Sequence, residues 1–357
     1  TGSGADPALA PPAPDRQPPA AGPAEPAQRL LVTNGAGGVT SRGDAVPPEG
    51  LSTRETFEWY LDQAGAYGVV GPLAEIRPDG DVVPLELDDL PGVDLVRDVL
   101  AMPDGRLAVL GLVDRMPGTE RTDGPCVAGI ETPLLVVEPD GSVSSSRDLR
   151  TRCQTLDLVA VDAETAYLAR DSRLVAHDLA TGDERLLLDS AEAVPVEHSG
   201  MDYAGGRLAV AISDPACSGI GGLVVRVTDV ATGDSRDHPL PGERCQPAGG
   251  PVRLSPDGRY AAVAYHWFIG DDTAKLGMAV LDLAGGTVVE DRQVAAAPGP
   301  DLGGDYSQRG VGIRTAAVVG LAWRDPQTLR RAWYEVPSEG VYWLPDVVEV
   351  TEVQPPR

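Results

Sequence analysis

Lysine, aromatic residues, histidine and cysteine are all scarce in this chain. Lys275 is the only lysine, so arginine supplies the other 28 of its 29 basic residues. Against these stand 54 acidic residues, for a net charge of −25 and a sequence pI near 4.4. A field of that sign repels phosphate backbones and excludes DNA and RNA as expected partners. Arginine in place of lysine, with abundant Ala, Gly and Pro, is the usage of a GC-rich bacterial genome such as an actinobacterial one. Aromatics make up only 4% of the residues, so a core must be built from Val, Leu and Ala. No apolar run is long enough to span a bilayer, no segment reads as a signal peptide, and no long amphipathic helical pattern appears.

Catalytic signatures are missing as well. There is no G-x-S-x-G elbow, no H-E-x-x-H, no phosphate-binding Gly loop, no G-x-G-x-x-G and no complete EF-hand loop. The four histidines, His177, His198, His238 and His266, are scattered one per region. His177 and His238 read as structural or solvated, and none of the four reads as catalytic. No metal site is expected, because Cys and His lack ligand spacing. No cofactor is expected either, although the acidity is compatible with a bound cation such as calcium.

Gly and Pro are plentiful, with 42 and 33 copies, and they mark turns. The clearest unit is VRLSPDGRYAAVAY, Val252 to Tyr265, in which two apolar strands flank Pro256-Asp257-Gly258. Pro presets φ, Asp caps its own backbone and Gly accepts positive φ, so the unit is an antiparallel hairpin. Variants stand at Met102 to Leu110, Val161 to Leu168 and Tyr203 to Val210. A second turn alternates with the first at Pro78-Asp79-Gly80, Pro139-Asp140-Gly141, Thr181-Gly182-Asp183, Thr232-Gly233-Asp234 and Ala284-Gly285-Gly286. Successive copies of it are 42 to 61 residues apart. Two hairpin turns per period at that spacing predict an all-β protein, a β-propeller of four-stranded antiparallel blades.

Six blades are expected, with seven as the alternative. They fall near Thr56 to Leu87, Leu95 to Leu149, Thr155 to Leu188, Met201 to Leu240, Val252 to Val294 and Ile313 to Val350. The apolar Leu30 and Leu31 lack a local partner and read as a closing strand for the last blade or part of a seventh. Residues 29–357 are expected to form one domain. Residues 1–28 hold eight Pro and eight Ala and cannot bury enough surface to fold, so they read as a disordered linker or tether. A tether beside a globular domain suits a secreted or lipid-anchored protein, and Thr1-Gly2-Ser3-Gly4 reads equally well as a cloning remnant.

The cysteines support an oxidising location. Cys126 and Cys217 each follow the second strand of a blade, whereas Cys153 and Cys245 each precede the first strand of the next. These two positions open on one face of a propeller, and the intervals are 27 and 28 residues. Disulfides Cys126–Cys153 and Cys217–Cys245 are therefore expected, each worth roughly 3–4 kcal/mol in the chain-entropy account.

The segment LSPDGRYAAVAY, Leu254 to Tyr265, resembles the repeat of TolB-like and WD-type β-propellers. The weaker copies at Met102, Val161 and Tyr203 extend that similarity over most of the chain. The resemblance implies a periplasmic or secreted interaction domain and brings no catalytic residue with it. A helical domain like the N-terminal one of TolB is not expected in residues 1–28, where the Pro/Ala segment stands.

The richest candidate surface is Tyr265-His266-Trp267-Phe268 followed by Asp271 and Asp272, read as leaving a strand for a loop on the cysteine-bearing face. Glu197, His198, Asp214, Asp305, Tyr306 and Arg309 are expected near it, the last three in the long Gly/Pro-rich stretch 298–312. Two function classes follow. The first is a non-catalytic extracytoplasmic propeller binding a protein, a peptide or an envelope glycan through that face. The second is a secreted propeller enzyme, a lyase resembling streptogramin lyase or a glycan-acting hydrolase, with its site in the central channel.

Overall fold

The computed structural model describes residues 30–32, 73–77, 82–85, 87, 90–93, 95–114, 130–149, 156–195, 200–214, 222–240, 248–269, 273–298, 320–333 and 347–353. The described part is all-β and arranged as a propeller. A three-stranded sheet comes first in the chain, formed by β1 (Leu30–Val32), β2 (Leu73–Ile76) and β3 (Val82–Leu85) in that spatial order. Five blades then follow one another. The first comprises β4 (Leu95–Ala101), β5 (Leu107–Asp114), the short β6 (Ile130–Glu131), β7 (Pro133–Val137) and β8 (Val143–Asp148). The second comprises β9 (Leu156–Val161), β10 (Thr165–Arg170), β11 (Arg173–Asp178) and β12 (Glu184–Asp189). The third comprises β13 (Gly200–Ala204), β14 (Arg207–Asp214), β15 (Gly222–Asp229) and β16 (Ser235–Pro239). The fourth comprises β17 (Ala248–Leu254), β18 (Tyr260–Ile269), β19 (Thr273–Asp282) and β20 (Thr287–Pro298). The fifth has three described strands, β21 (Gly320–Asp325), β22 (Thr328–Trp333) and β23 (Val347–Glu352).

The expectation of six like blades is corrected accordingly: five blades run in chain order, and the remaining sheet is a shorter one built on β1. Leu30 to Val32 pair with Ile76 to Ala74, so β1 neither closes the last blade by hydrogen bonding nor begins a seventh. Its sheet lies between the last and first blades. β1 runs beside β21, Arg330 donates to the carbonyls of Ile76 and Arg77 at 2.9 Å each, and Leu31 packs on the core of the first blade.

Turn chemistry explains the meander. At the Ser255 turn, Gly258 N–H donates to Ser255 O at 2.7 Å, and Asp257 accepts from the Ser255 hydroxyl and the Arg259 N–H. Gly258 has φ +65°, which a side chain would resist. The turn at Met102 repeats this arrangement, with Gly105 N–H donating to Met102 O at 3.1 Å. The second turn type is capped from its first residue. Asp178 accepts from the N–H groups of Ala180 and Thr181, as Asp229 does from Ala231 and Thr232. Both turn types join strands on one face, because the first links inner strand to second and the other links third to fourth.

The apolar residues lie between blades. Separate buried clusters join the β1 sheet to the first blade, the first blade to the second, the second to the third, the third to the fourth and the fourth to the fifth. Small residues such as Ala209, Ala211, Ala261 and Ala279 let neighbouring sheets approach, and a fully buried Leu such as Leu254 contributes roughly 1.5–3 kcal/mol. Outer strands are wet, as β12 shows with Leu186 54% exposed. His177 and His238 are buried structural residues, 3% and 4% exposed. The His177 Nδ1 lies 3.4 Å from Glu184 Oε1.

Candidate functional site

The inner strands β4, β9, β13, β17 and β21, together with β1, converge on a central cavity of about 650 Å³. Each contributes to its wall, through Val99, Val161, Tyr203, Arg253, Leu321 and Leu31 respectively. The cavity lies toward the ends of these strands where the first-type turns stand, since Met102, Asp162, Gly205 and Pro256 also line it. The repeated hairpin motif thus builds the rim. Two arginines that follow such turns lace the rim blade to blade: Arg106 Nη2 donates to Ala163 O at 3.0 Å, and Arg207 Nη1 to Gly258 O at 2.7 Å.

Polar groups cluster on one side of the cavity. Asp162 is fully engaged, accepting from the N–H groups of Glu164 and Thr165 at 2.9 and 2.8 Å and from the Tyr167 hydroxyl at 2.9 Å. Burial, and then that bond to Asp162, raise the Tyr167 phenol well above the ordinary tyrosine value, so Tyr167 is a fixed hydrogen-bond donor. Its ring meets that of Tyr203 with centroids 4.5 Å apart and planes tilted by 39°. Burial likewise raises the Tyr203 phenol. Among the described residues the Tyr203 hydroxyl has no hydrogen-bond partner.

Asp202 stands next to Tyr203 and is 7% exposed. Its Oδ2 accepts the N–H of Leu254 at 2.6 Å, tying the inner strand of the third blade to that of the fourth. Asp98 makes the equivalent tie from the first blade to the second, through Leu158 N–H at 3.3 Å. Desolvation pushes the Asp202 carboxyl above the usual carboxylate range, and Arg253 opposes part of that rise. Arg253 spends Nη1 on the carbonyl of Val252 at 2.9 Å. Among the described residues its other N–H groups have no acceptor, and the residue lines the cavity. The lining therefore offers aromatic faces, a free phenol, a guanidinium and carboxylate oxygens among apolar walls, and its volume lies in the range of roughly 300–1,000 Å³ usual for small-molecule sites.

The residues singled out from sequence are described only in part. Tyr265 is a core residue, 1% exposed, whose hydroxyl donates to Asp291. His266, Trp267 and Phe268 belong to β18 and pair with Leu276, Lys275 and Ala274, so the aromatic run is strand and not loop. Asp214 ends β14 opposite Gly222. Asp271, Asp272, Glu197, His198, Asp305, Tyr306 and Arg309 lie outside the described residues, as do all four cysteines and residues 1–28. The strands flanking the cysteines follow the expected order: 115–129 connect second to third strand, and 150–155 connect one blade to the next. By strand direction the described strand ends that flank these segments, such as the ends of β5 and β8, lie opposite the cavity mouth. Sequence reading missed Tyr167, Asp202, Tyr203 and Arg253, although each lies within five residues of a first-type turn it had located.

No known family matches the chain, and no curated protein does. Solved structures show fold-level likeness only. A member of the DUF4221 family from Bacteroides vulgatus is 8% identical, covering 62% of this chain and 78% of its own, with a TM-score of 0.35. A variant of the Synechocystis apocarotenoid oxygenase is 13% identical over 76% of this chain and 66% of its own, with a TM-score of 0.38. A gluconolactonase from Xanthomonas campestris is 18% identical over 54% of this chain and 61% of its own, with a TM-score of 0.33.

Proposed function

We propose that this chain is a non-catalytic binding propeller that takes its ligand into the central cavity, on the face opposite the cysteine-bearing loops. The observation that carries the reading is the cavity itself, walled by the inner strand of every sheet and ending in the Tyr203 and Arg253 groups. Two of the three lining carboxylates carry structural bonds: Asp162 holds three donors, and Asp202 holds a backbone amide through Oδ2. The reading takes the TolB-like and WD-type resemblance as the family and places the protein outside the cytoplasm of an actinobacterium, secreted or lipid-anchored, with both disulfides formed. Its ligand is then an envelope component or the end of a peptide that fits a cavity of this size.

The test uses Ala204→Phe, which places a ring in the cavity from the end of β13. Neutral disaccharides, polyamines and short peptides are screened against the protein and this variant by saturation-transfer NMR, with melting curves to show that both are folded. Saturation of one class, lost in Ala204→Phe, is the expected result. Saturation that survives in the variant moves the site elsewhere, and turnover of a bound probe makes the protein an enzyme.

A further inference from the structure

Resting on the cavity reading above, we infer that the ligand is an uncharged saccharide, held by its ring face on Tyr203 and by its hydroxyls between Arg253 and Asp202.

The charge pattern argues first. Although the chain carries −25, the polar side of the cavity is of mixed sign, with Arg253 standing beside Asp202. An anionic ligand would meet Asp162, Glu164 and Asp202 together, and a cation would meet the guanidinium of Arg253. A ligand of alternating donors and acceptors without net charge uses both kinds of group and opposes neither.

The aromatic geometry argues next. An aromatic cage for a quaternary ammonium needs rings that stand apart around the cation. Tyr167 and Tyr203 instead stack on each other, with centroids 4.5 Å apart and planes tilted by 39°, so no ring gap is left for a cation between them. Tyr167 is locked by Asp162 and supports the Tyr203 ring, which lines the cavity. The C–H face of a pyranose is flat and apolar and suits the face of a single supported ring, while its rim of hydroxyls requires planar, multidentate partners. Arg253 has donors to spare, the Tyr203 hydroxyl can donate or accept, and the carboxylate of Asp202 accepts. Val99, Val161, Leu321 and Leu31 add apolar surface to the lining. The volume of about 650 Å³ leaves room for more than one sugar ring.

Calorimetric titration of the intact protein with maltose, cellobiose, trehalose and chitobiose tests this, with spermidine and tetramethylammonium as cationic comparators. At least one disaccharide is expected to bind with 1:1 stoichiometry, and its affinity is expected to stay within about twofold between roughly 50 and 500 mM NaCl, because no ion pair forms. Tyr203→Ala is expected to weaken it at least tenfold, as loss of a central aromatic anchor does. Tyr203→Phe keeps the ring and guards against a folding defect in the alanine variant, and its expected loss is only a few-fold. Arg253→Gln is expected to cost roughly tenfold or more. Binding of a cation in the cavity, weakened by salt and by Ala204→Phe, overturns the saccharide assignment while leaving the cavity reading intact. If neither sugars nor cations bind, the saccharide assignment falls, and the short-peptide screen then decides the cavity reading. Sugar binding that ignores Tyr203 and Arg253 also overturns the assignment.

Discussion

Asp202 ties two blades through one hydrogen bond, and its removal has a calculable consequence. The Leu254 N–H that it accepts is buried, with Leu254 itself 0% exposed. Asp202→Ala leaves that donor unpaired, a loss of about 1–3 kcal/mol. In a protein of this size each kcal/mol moves the melting temperature by about 2 °C, so a fall of a few degrees is expected at pH 7. Asp202→Asn behaves differently because its amide oxygen still accepts the N–H while the charge disfavoured by burial is gone. The sign follows from linkage. Burial raises the folded carboxyl above its unfolded value near 3.9, so the native state holds a proton that the unfolded chain has released. Wild-type stability therefore falls, through this group, as pH rises from about 4 toward the raised value, and the contribution stays absent above it. The asparagine variant lacks that fall and should equal or exceed the wild type at pH 7, with the difference shrinking toward pH 4. Melting temperatures of the three proteins from pH 4 to 8 measure this. Asp202→Asn as destabilised as Asp202→Ala at pH 7, or wild-type and Asn profiles that run parallel, would refute the reasoning.

Other consequences are as concrete. Gly277→Ala should destabilise by roughly 1–3 kcal/mol and broaden chemical denaturation, because its Cβ would lie 2.5 Å from the buried Tyr265 ring that covers the glycine. Glu290 pairs bidentately with the fully buried Arg331 at 2.6 and 2.5 Å across the fourth and fifth blades, and Arg331 holds its carboxyl below the usual range. Glu290→Gln should then lose about 2–3 kcal/mol at neutral pH in urea denaturation, toward the low end for a broken buried pair because Glu290 is partly exposed. Since the folded value is depressed, that loss should be full above about pH 4.3 and fade as acid protonates the wild type. Non-reducing peptide mapping should recover Cys126 linked to Cys153 and Cys217 linked to Cys245; free thiols or a Cys153–Cys217 link would remove the argument for an oxidising location.

What the sequence revealed was local. Ser255 to Gly258 and Asp178 to Gly182 carry their turn chemistry within five residues, so hairpins, blade order and most blade limits could be read directly. β1 could not, because Leu30 to Val32 pair with a strand more than forty residues away and three residues leave no alternating pattern. The cavity was hidden for the same reason. Asp202 meets Leu254 across 52 positions, and Tyr167 meets Tyr203 across a blade boundary. The aromatic run at Tyr265 was conspicuous as composition, yet β18 extends to Ile269 and carries its first member into the core. The turns themselves held a usable signal, since in a propeller every link from inner to second strand must stand at one mouth of the central channel.

A crystal structure of the protein soaked with the disaccharide that binds best is the most direct measurement of the central claim. The account predicts density for one sugar ring against Tyr203, with hydroxyls reaching Arg253 and Asp202 inside the cavity. Density on the opposite face, at the 266–269 end of β18, with the cavity holding only water, would contradict it.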